Sequence, residues 1–225
     1  MSRALVLGGH GAIGAAIADR LQQDGCEVLR SARDTGELQV DPFGPAGLAA
    51  LDGAGPLDTV VWAQGANAND SVADLDLDVH EDVLRANVVY VSATLNRLLT
   101  NGTLQDGARL CVIGSVWQLL VRQSKFSYSV AKTAVTGLVR SAAVDLAPRG
   151  ILVNGVLPGV VDTPMTRAML TEEQQRAFAQ ATGFDRLVAL QDVANAAAWL
   201  CSPDNTGVTG QLLAVDLGFS AARRV

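Results

Sequence analysis

The stretch RALVLGGHGAIGAAIADRLQQ, residues Arg3–Gln23, has the pattern that indicates the fold. Arg3–Leu7 is a short apolar run typical of a strand, a glycine-rich turn follows, and Ala15–Gln23 has apolar residues at the spacing of an amphipathic helix. The glycines permit a tight turn, and the amino terminus of the helix offers unpaired N–H groups to a phosphate. This stretch therefore predicts a strand–turn–helix unit that binds a pyrophosphate.

Further apolar runs alternate with helical patterns along the rest of the chain. They predict strands at Cys26–Ala32, Glu37–Val40, Asp58–Ala63, Arg109–Gly114, Gly150–Val156 and Gly207–Gly218. Helices are predicted at Gly47–Leu51, at Val79–Thr100, from about Tyr128 to Ala147, and at Gln191–Cys201. The alternation predicts an α/β fold, a doubly wound, mainly parallel, Rossmann-like sheet in a single domain over residues 1–225. Its ligand should lie at the carboxyl ends of the strands.

Tyr128 and Lys132 lie four residues apart in a predicted helix, so both side chains should project from one face. An ammonium group stabilises a nearby phenolate, and we therefore expect Lys132 to lower the pKa of Tyr128 from its usual value of about 10. A tyrosine in that state can exchange a proton with an alcohol or a ketone. Ser115 follows the run Arg109–Gly114, which places its hydroxyl in the ligand crevice at the end of a strand.

Ser115, thirteen residues before Tyr128, and the Tyr-x-x-x-Lys motif together resemble the signature of the short-chain dehydrogenases/reductases. The resemblance implies that Ser115 polarises a carbonyl oxygen, Tyr128 exchanges the proton, and Lys132 holds the cofactor ribose. Asn87, twenty-eight residues before Ser115, falls at the family's catalytic asparagine position. There it would support a water molecule that links the lysine to solvent.

The same resemblance implies cofactor contacts along much of the chain. They comprise Gly8, His10, Gly11, Ala12, Ile13 and Gly14 of the glycine turn, Asp41 at the adenine, Ala63, Gln64 and Gly65 after a strand, Tyr128 and Lys132 of the motif, and Pro158, Gly159, Val161 and Thr163 at the nicotinamide. Asp41 has a second interpretation, because an aspartate before Pro42 could equally cap a turn.

The end of the predicted strand Cys26–Ala32 indicates which cofactor is used. An acid at this position would hold a free ribose 2′-hydroxyl, whereas an arginine accommodates a 2′-phosphate. Ala32 stands where the acid is expected and Arg33 follows it, which favours NADP(H) over NAD(H). Asp34 is one residue further along and could read the ribose instead.

Departures from the family pattern leave two other functions open. Gly8, Gly11 and Gly14 fit the Gly-x-x-Gly-x-x-Gly spacing of the family's extended branch, which contains epimerases and dehydratases that retain NAD. The short carboxyl-terminal region argues against that branch. Leu7 replaces the usual threonine and Trp62-Ala63 the usual asparagine pair, which would suit a non-catalytic NADP-binding sensor. The intact catalytic set argues against a sensor.

Composition excludes several other classes of function. The 225 residues have a formal net charge of −6 and 49% hydrophobic content, which argues against nucleic acid as a partner. No apolar run is long enough to span a membrane and no signal-peptide pattern occurs, so we expect a cytoplasmic protein. Cys26, Cys111 and Cys201 are far apart in sequence, and with only two histidines in the chain they predict no metal site.

The resemblance as a whole implies an NADP(H)-dependent oxidoreductase that interconverts a carbonyl compound and a secondary alcohol. It also implies a mobile substrate lid over residues 160–190 and a homodimer or homotetramer. Apolar residues beside Ser115, among them Trp117, suggest an apolar or bulky carbonyl substrate, but the same residues could equally pack the lid or a subunit interface.

Overall fold

Residues 2–32, 38–44 and 47–221 are described by the computed structural model of the chain. The strands of this part form one seven-stranded sheet in the order β3-β2-β1-β4-β5-β6-β7, and every neighbouring pair is parallel. The strands are β1 Arg3–Leu7, β2 Glu27–Ala32, β3 Leu38–Gln39, β4 Leu57–Trp62, β5 Leu104–Ile113, β6 Leu152–Pro158 and β7 Leu212–Val215.

Helices lie on both faces of the sheet. The α-helices are α1 Ala12–Gln23, α2 Leu77–Leu84, α3 Tyr90–Thr100, α4 Phe126–Leu146, α5 Pro164–Met169, α6 Glu172–Ala181 and α7 Leu190–Leu200. The predicted doubly wound, parallel α/β fold is therefore confirmed.

Two apolar cores, one on each face, explain why the strands read as continuous apolar runs. Successive side chains of a strand point to opposite faces. Leu5 and Leu7 of β1 belong to the core formed with α3 and α4, whereas Ala4 and Val6 belong to the core formed with α1 and α7. Burial on both faces is what a parallel sheet requires.

Several predicted elements differ from the structure in extent. The predicted helix Val79–Thr100 begins earlier, at Leu77, because Asp76 Oδ1 accepts hydrogen bonds from the N–H groups of Asp78 (2.9 Å) and Val79 (3.2 Å). A π-helical turn, Arg85–Val89, divides it into α2 and α3. The predicted helix Gly47–Leu51 is a 3₁₀ turn at Ala49–Gly53, and the predicted strand Gly207–Gly218 is ordered as a strand only over β7.

The connection between β2 and β3 is unusually short. Ser31 pairs with Leu38 in parallel register, and only the five residues 33–37 separate the two strands. A parallel crossover usually needs a dozen residues or more. The predicted strand Glu37–Val40 is thus present as the two-residue β3, and Glu37 lies outside the described residues. Arg33 and Asp34, on which the cofactor prediction depends, also lie outside them.

The turn between β1 and α1 brings three stretches of backbone into close contact. A Cβ atom on Gly14 would lie 2.2 Å from the carbonyl oxygen of Gly8. Gly8 has a φ of +77°, and a Cβ atom there would lie 2.7 Å from the backbone nitrogen of Gln64. These contacts hold the start of α1 against the ends of β1 and β4, and only glycine fits them.

We expect Gly14→Ala to destabilise the protein by about 1–3 kcal/mol, because the new methyl group must displace the backbone of Gly8. Gly137→Ala in α4 is the matched control, since a Cβ atom there would meet nothing within 4 Å. Replacing a helical glycine by alanine at such a place should stabilise by up to about 1 kcal/mol. Urea unfolding of both variants measures the two changes. If Gly14→Ala is as stable as the natural protein, the Gly8–Gly14 contact does not restrict residue 14 to glycine.

Candidate active site

A cleft of about 920 Å³ opens at the carboxyl ends of β1 and β4, where the strand order of the sheet reverses. Such a switch point is where open α/β sheets bind their ligands. Of the predicted cofactor residues, those that line the cleft are Gly8, Gly11, Ala12, Ile13, Asp41, Ala63, Gln64, Gly65 and Thr163.

Other predicted cofactor residues do not line this cleft. His10 is exposed at the tip of the glycine turn, and Gly14 is buried beneath it. The Gly159 N–H donates to the carbonyl oxygen of Val215 (2.9 Å), which places Pro158 and Gly159 in the packing between β6 and β7. Val161 is buried in a bridge to Val188. A cofactor role for these residues stays a prediction.

The cleft also has walls that the sequence did not reveal. These residues come from the segments after β3 and β4, and from α2, the π-helical turn, α3 and α5: Phe43, Ala66, Asp82, Arg85, Ala86, Tyr90, Pro164 and Met165. No motif marks them, because they meet only through the tertiary fold.

Asp41 caps a turn, as one of the two interpretations predicted, and its contact with an adenine stays a prediction. Its Oδ1 accepts a hydrogen bond from the N–H of Phe43 (3.1 Å), so it caps the turn, and it also lines the cleft. The guanidinium carbon of Arg85 lies 5.1 Å from the centre of the Phe43 ring, a cation–π contact. This end of the cleft therefore combines a carboxylate, an aromatic ring and a guanidinium group.

The cleft has features that fit a polar, anionic ligand. No side chain caps the amino terminus of α1, so the first N–H groups of the helix are available to a phosphate. Gly8 leaves the space that a side chain would fill. The side-chain amide of Gln64 is buried beside it, and neither its Nε2 nor its Oε1 has a hydrogen-bond partner among the described residues. A dinucleotide could meet both needs.

Ser115 is held at the carboxyl end of β5 by a capping interaction. Its Oγ accepts a hydrogen bond from the N–H of Trp117 (3.3 Å), and its own N–H donates to Oε1 of Gln118 (2.9 Å). The hydroxyl also forms a hydrogen bond with Tyr128. The predicted pair of Ser115 and Tyr128 is thus in direct contact.

The expected effect of Lys132 on Tyr128 is not what the structure shows. Burial raises the pKa of the Tyr128 phenol, and the hydrogen bond with Ser115 offsets this only in part. Lys132 Nζ lies 5.8 Å from the centre of the tyrosine ring, but burial lowers the pKa of Lys132 itself to about 8. The lysine therefore loses its proton before the phenol does, and the sequence-based prediction was wrong for the protein without ligand.

Lys132 is almost completely buried. Its Nζ donates a hydrogen bond to the carbonyl oxygen of Ile113 at the end of β5 (3.1 Å). Removal of the ammonium group from water disfavours its charged form, which is the cause of the lowered pKa.

Asn87 lies in the π-helical turn between α2 and α3. Its Nδ2 donates to the carbonyl oxygens of Ala66 (2.9 Å) and Val83 (2.8 Å), and its buried Oδ1 has no partner among the described residues. A Cβ atom on Gly65 would lie 2.6 Å from this Oδ1 and 3.5 Å from Lys132 Nζ. Gly65 lines the cleft, so Asn87 and Lys132 lie directly behind the cleft wall at this residue.

The predicted lid contains α5 and α6. Thr163 Oγ1 caps α5 by accepting from the N–H of Thr166 (3.1 Å). The ring of Trp117 packs edge-on against Phe178 of α6, with 6.5 Å between centres, and against Phe219, with 5.9 Å. These contacts join the lid to the loop after Ser115, and movement of the lid stays a prediction.

The described part of the chain lacks two kinds of feature. None of its helices combines the length and the apolar character needed to cross a bilayer. No group of three or more His, Cys, Asp or Glu side chains there could hold a metal ion.

The fold and the cleft at its switch point define a Rossmann-like protein of the nucleotide-binding class. A family model described as enoyl-(acyl carrier protein) reductase matches residues 48–220. The 3-oxoacyl-[acyl-carrier-protein] reductase MabA of Mycobacterium tuberculosis is 30% identical over 95% of this chain and 91% of its own. The chain belongs to the short-chain dehydrogenase/reductase family, and it is an oxidoreductase of that family.

Solved structures agree over the whole chain. A short-chain dehydrogenase family protein from Francisella tularensis has a TM-score of 0.89 at 26% identity and covers 99% of this chain and 100% of its own. A blue fluorescent protein from a metagenomic library, solved in complex with NADPH, has a TM-score of 0.87 at 28% identity and covers 98% of each chain.

The lowered pKa of Lys132 makes stability depend on pH. Between about 8 and the ordinary lysine value of about 10.4, the unfolded chain binds more protons than the folded one, so this lysine makes stability rise with pH. The rise should amount to about 3 kcal/mol, and it should be lost as pH falls through 8. We expect the stability difference between the natural protein and Lys132→Met to change by this amount across the window.

Urea unfolding of the cofactor-free protein at pH 7 to 10.5 provides the measurement. Arg140→Met is the matched control, because Arg140 is exposed on the same helix and a guanidinium does not titrate in this range. Its difference from the natural protein should stay constant. A constant difference for Lys132→Met as well would mean that Lys132 is not desolvated.

Proposed function

We propose that this protein is an NADP(H)-dependent oxidoreductase that interconverts a carbonyl group and a secondary alcohol. The observation that carries the proposal is the convergence of four side chains. Ser115 contacts Tyr128, while Lys132 and Asn87 meet at Gly65 on the wall of the cleft. A hydroxyl pair beside an amine and an amide suits proton transfer to a carbonyl oxygen.

A bound nicotinamide would supply or accept the hydride at the carbonyl carbon. Tyr128 donates its proton to the carbonyl oxygen during reduction and takes it back during oxidation. Ser115 donates a hydrogen bond to the same oxygen and polarises the carbonyl. Lys132 holds the ribose hydroxyls, and the Oδ1 of Asn87 accepts a hydrogen bond on the proton's path to solvent.

Near neutral pH Tyr128 carries the proton that reduction of a carbonyl group requires. Because burial raises the pKa of its phenol, the side chain is protonated near neutral pH. A protonated phenol is the form that can donate to a carbonyl oxygen.

The names of relatives support a first choice of substrate. Several relatives act on 3-oxoacyl groups attached to acyl carrier protein, according to their names. A 3-oxoacyl thioester is therefore the first compound to test, followed by cyclic ketones and sugar ketones. The homodimer or homotetramer implied by the family resemblance stays a prediction, and so does the cytoplasmic location expected from the sequence.

We expect Tyr128→Phe to lower kcat by more than about 100-fold while the fold and NADPH binding persist, because one hydroxyl needed mainly in the transition state is lost. Ser129→Ala is the matched control: it removes a hydroxyl from the next residue, whose Oγ has no partner among the described residues. Steady-state kinetics with NADPH and the substrate panel provide the measurement. NADPH binding without turnover of any carbonyl compound would favour a sensor instead.

The second test concerns the cofactor. Arg33 should bind a 2′-phosphate through paired, charge-assisted hydrogen bonds, so kcat/KM should be at least about tenfold higher with NADPH than with NADH. The bound NADPH of the metagenomic relative supports this choice. The double variant Ala32→Asp with Arg33→Gln should reverse the preference, since a carboxylate repels the phosphate and accepts from a 2′-hydroxyl. Equal efficiencies in the natural protein would contradict the role of Arg33.

A further inference from the structure

Lysine is confined to one place in this chain. The 225 residues contain two lysines, Lys125 and Lys132, and the other 15 of the 17 lysine and arginine residues are arginines. Both lysines lie beside Tyr128: Lys125 Nζ is 5.9 Å from the centre of its ring, and Lys132 Nζ is 5.8 Å away. The family motif accounts for Lys132 only.

Lys125 is held by a tight set of hydrogen bonds. Its side chain is buried, and its Nζ donates to Oδ1 of Asn67 (2.8 Å), to the carbonyl oxygen of Ala68 (3.1 Å) and to Oδ1 of Asn69 (2.5 Å). These residues belong to the segment that follows β4. Lys125 thus fastens the start of α4 to the chain beside the cleft.

The two lysines differ in how well their charged forms are stabilised. A protonated amine has three N–H donors. Lys125 meets three oxygen acceptors, so its ammonium form is fully hydrogen-bonded, whereas Lys132 has Ile113 as its one acceptor among the described residues. Acceptors that match all three donors favour the ammonium form.

We propose that Lys125 is a positioning residue that supplies lasting positive charge to Tyr128 in the free enzyme, while Lys132 chiefly binds the cofactor ribose. This inference rests on the proposed role of Tyr128 as the proton donor. Lys125 would lower the proton affinity of the phenol that burial has raised. It would act through the tyrosine and would not touch the reacting atoms.

Other charged groups around this pair are accounted for. Burial lowers the pKa of Lys125, the nearby Arg122 adds to this effect, and the carboxylate of Asp70 opposes it. Asp70 is hydrogen-bonded to Ser127, and the imidazole of His80 binds the same hydroxyl (2.8 Å). Arg122 also makes a cation–π contact with Phe178, with 5.3 Å between its guanidinium carbon and the ring centre.

A spectroscopic titration tests the proposal without requiring turnover. The chain has two tyrosines, and the Tyr128→Phe variant identifies the ultraviolet phenolate signal of Tyr128 by difference. In Lys125→Met the pKa of Tyr128 should rise by about one unit, which is a tenfold change in proton affinity. Lys125→Arg should restore the natural titration, because it keeps the charge. The fraction of phenolate is compared at a fixed alkaline pH at which circular dichroism shows every variant folded.

Two controls separate charge from anchoring. Lys125→Gln keeps a hydrogen-bond donor without the charge, and it should titrate like Lys125→Met. Arg122→Met removes a positive charge three residues before Lys125, and it should leave the titration of Tyr128 nearly unchanged. If Lys125→Gln matches the natural protein, Lys125 only anchors the segment and the proposal is overturned. An unchanged titration in Lys125→Met overturns it as well.

Nuclear magnetic resonance of lysine-labelled protein gives a second measurement. With two lysines in the chain, two side-chain signals are expected, and variants assign them. Lys125 should lose its proton at higher pH than Lys132, and the reverse order would overturn the proposal. If the protein reduces no carbonyl compound but Lys125 still loses its proton at higher pH than Lys132, the result counts against the proposed function alone.

Discussion

An amino group inside a protein loses its hydration, which costs free energy. The residues around Lys132 are placed so that its buried amine still has a hydrogen-bond acceptor. Strand β5 must end at Ile113 for the carbonyl oxygen to receive the amine, and α4 must start early enough to bring Lys132 to that strand end. Gly65 must lack a side chain, because a Cβ atom there would lie only 2.6 Å from the Oδ1 of Asn87. The buried Lys132 thus ties α4 to the end of β5, with Gly65 and Asn87 packed beside it.

Much of the fold could be predicted from the sequence, because its signals are local. Apolar runs such as that of β1 and the glycines that follow it are determined by a few neighbouring residues. The pairing of Tyr128 with Lys132 depends only on helical spacing. The spacing of Ser115 from Tyr128 carried the family resemblance, the resemblance pointed to Asn87, and the fold brings Ser115 to Tyr128 and Asn87 close to Lys132.

What could not be predicted depends on contacts between distant segments. Arg85 meets Phe43 across more than forty residues, and Lys125 reaches the segment after β4 across nearly sixty. No pattern in either segment signals these partners. The pKa of Tyr128 was predicted in the wrong direction because the sequence gives the neighbouring charge but not the extent of burial, and burial dominates here.

The confinement of lysine to the site also determines the chemistry of the surface. Both side-chain amines are buried, and the remaining cations are guanidinium groups, which are much poorer nucleophiles near neutral pH. Reducing sugars, aldehydes and activated esters therefore find no exposed lysine on this protein. Apart from the α-amino group, glycation, amine cross-linking and acylation of amines can therefore act only on these two buried side chains.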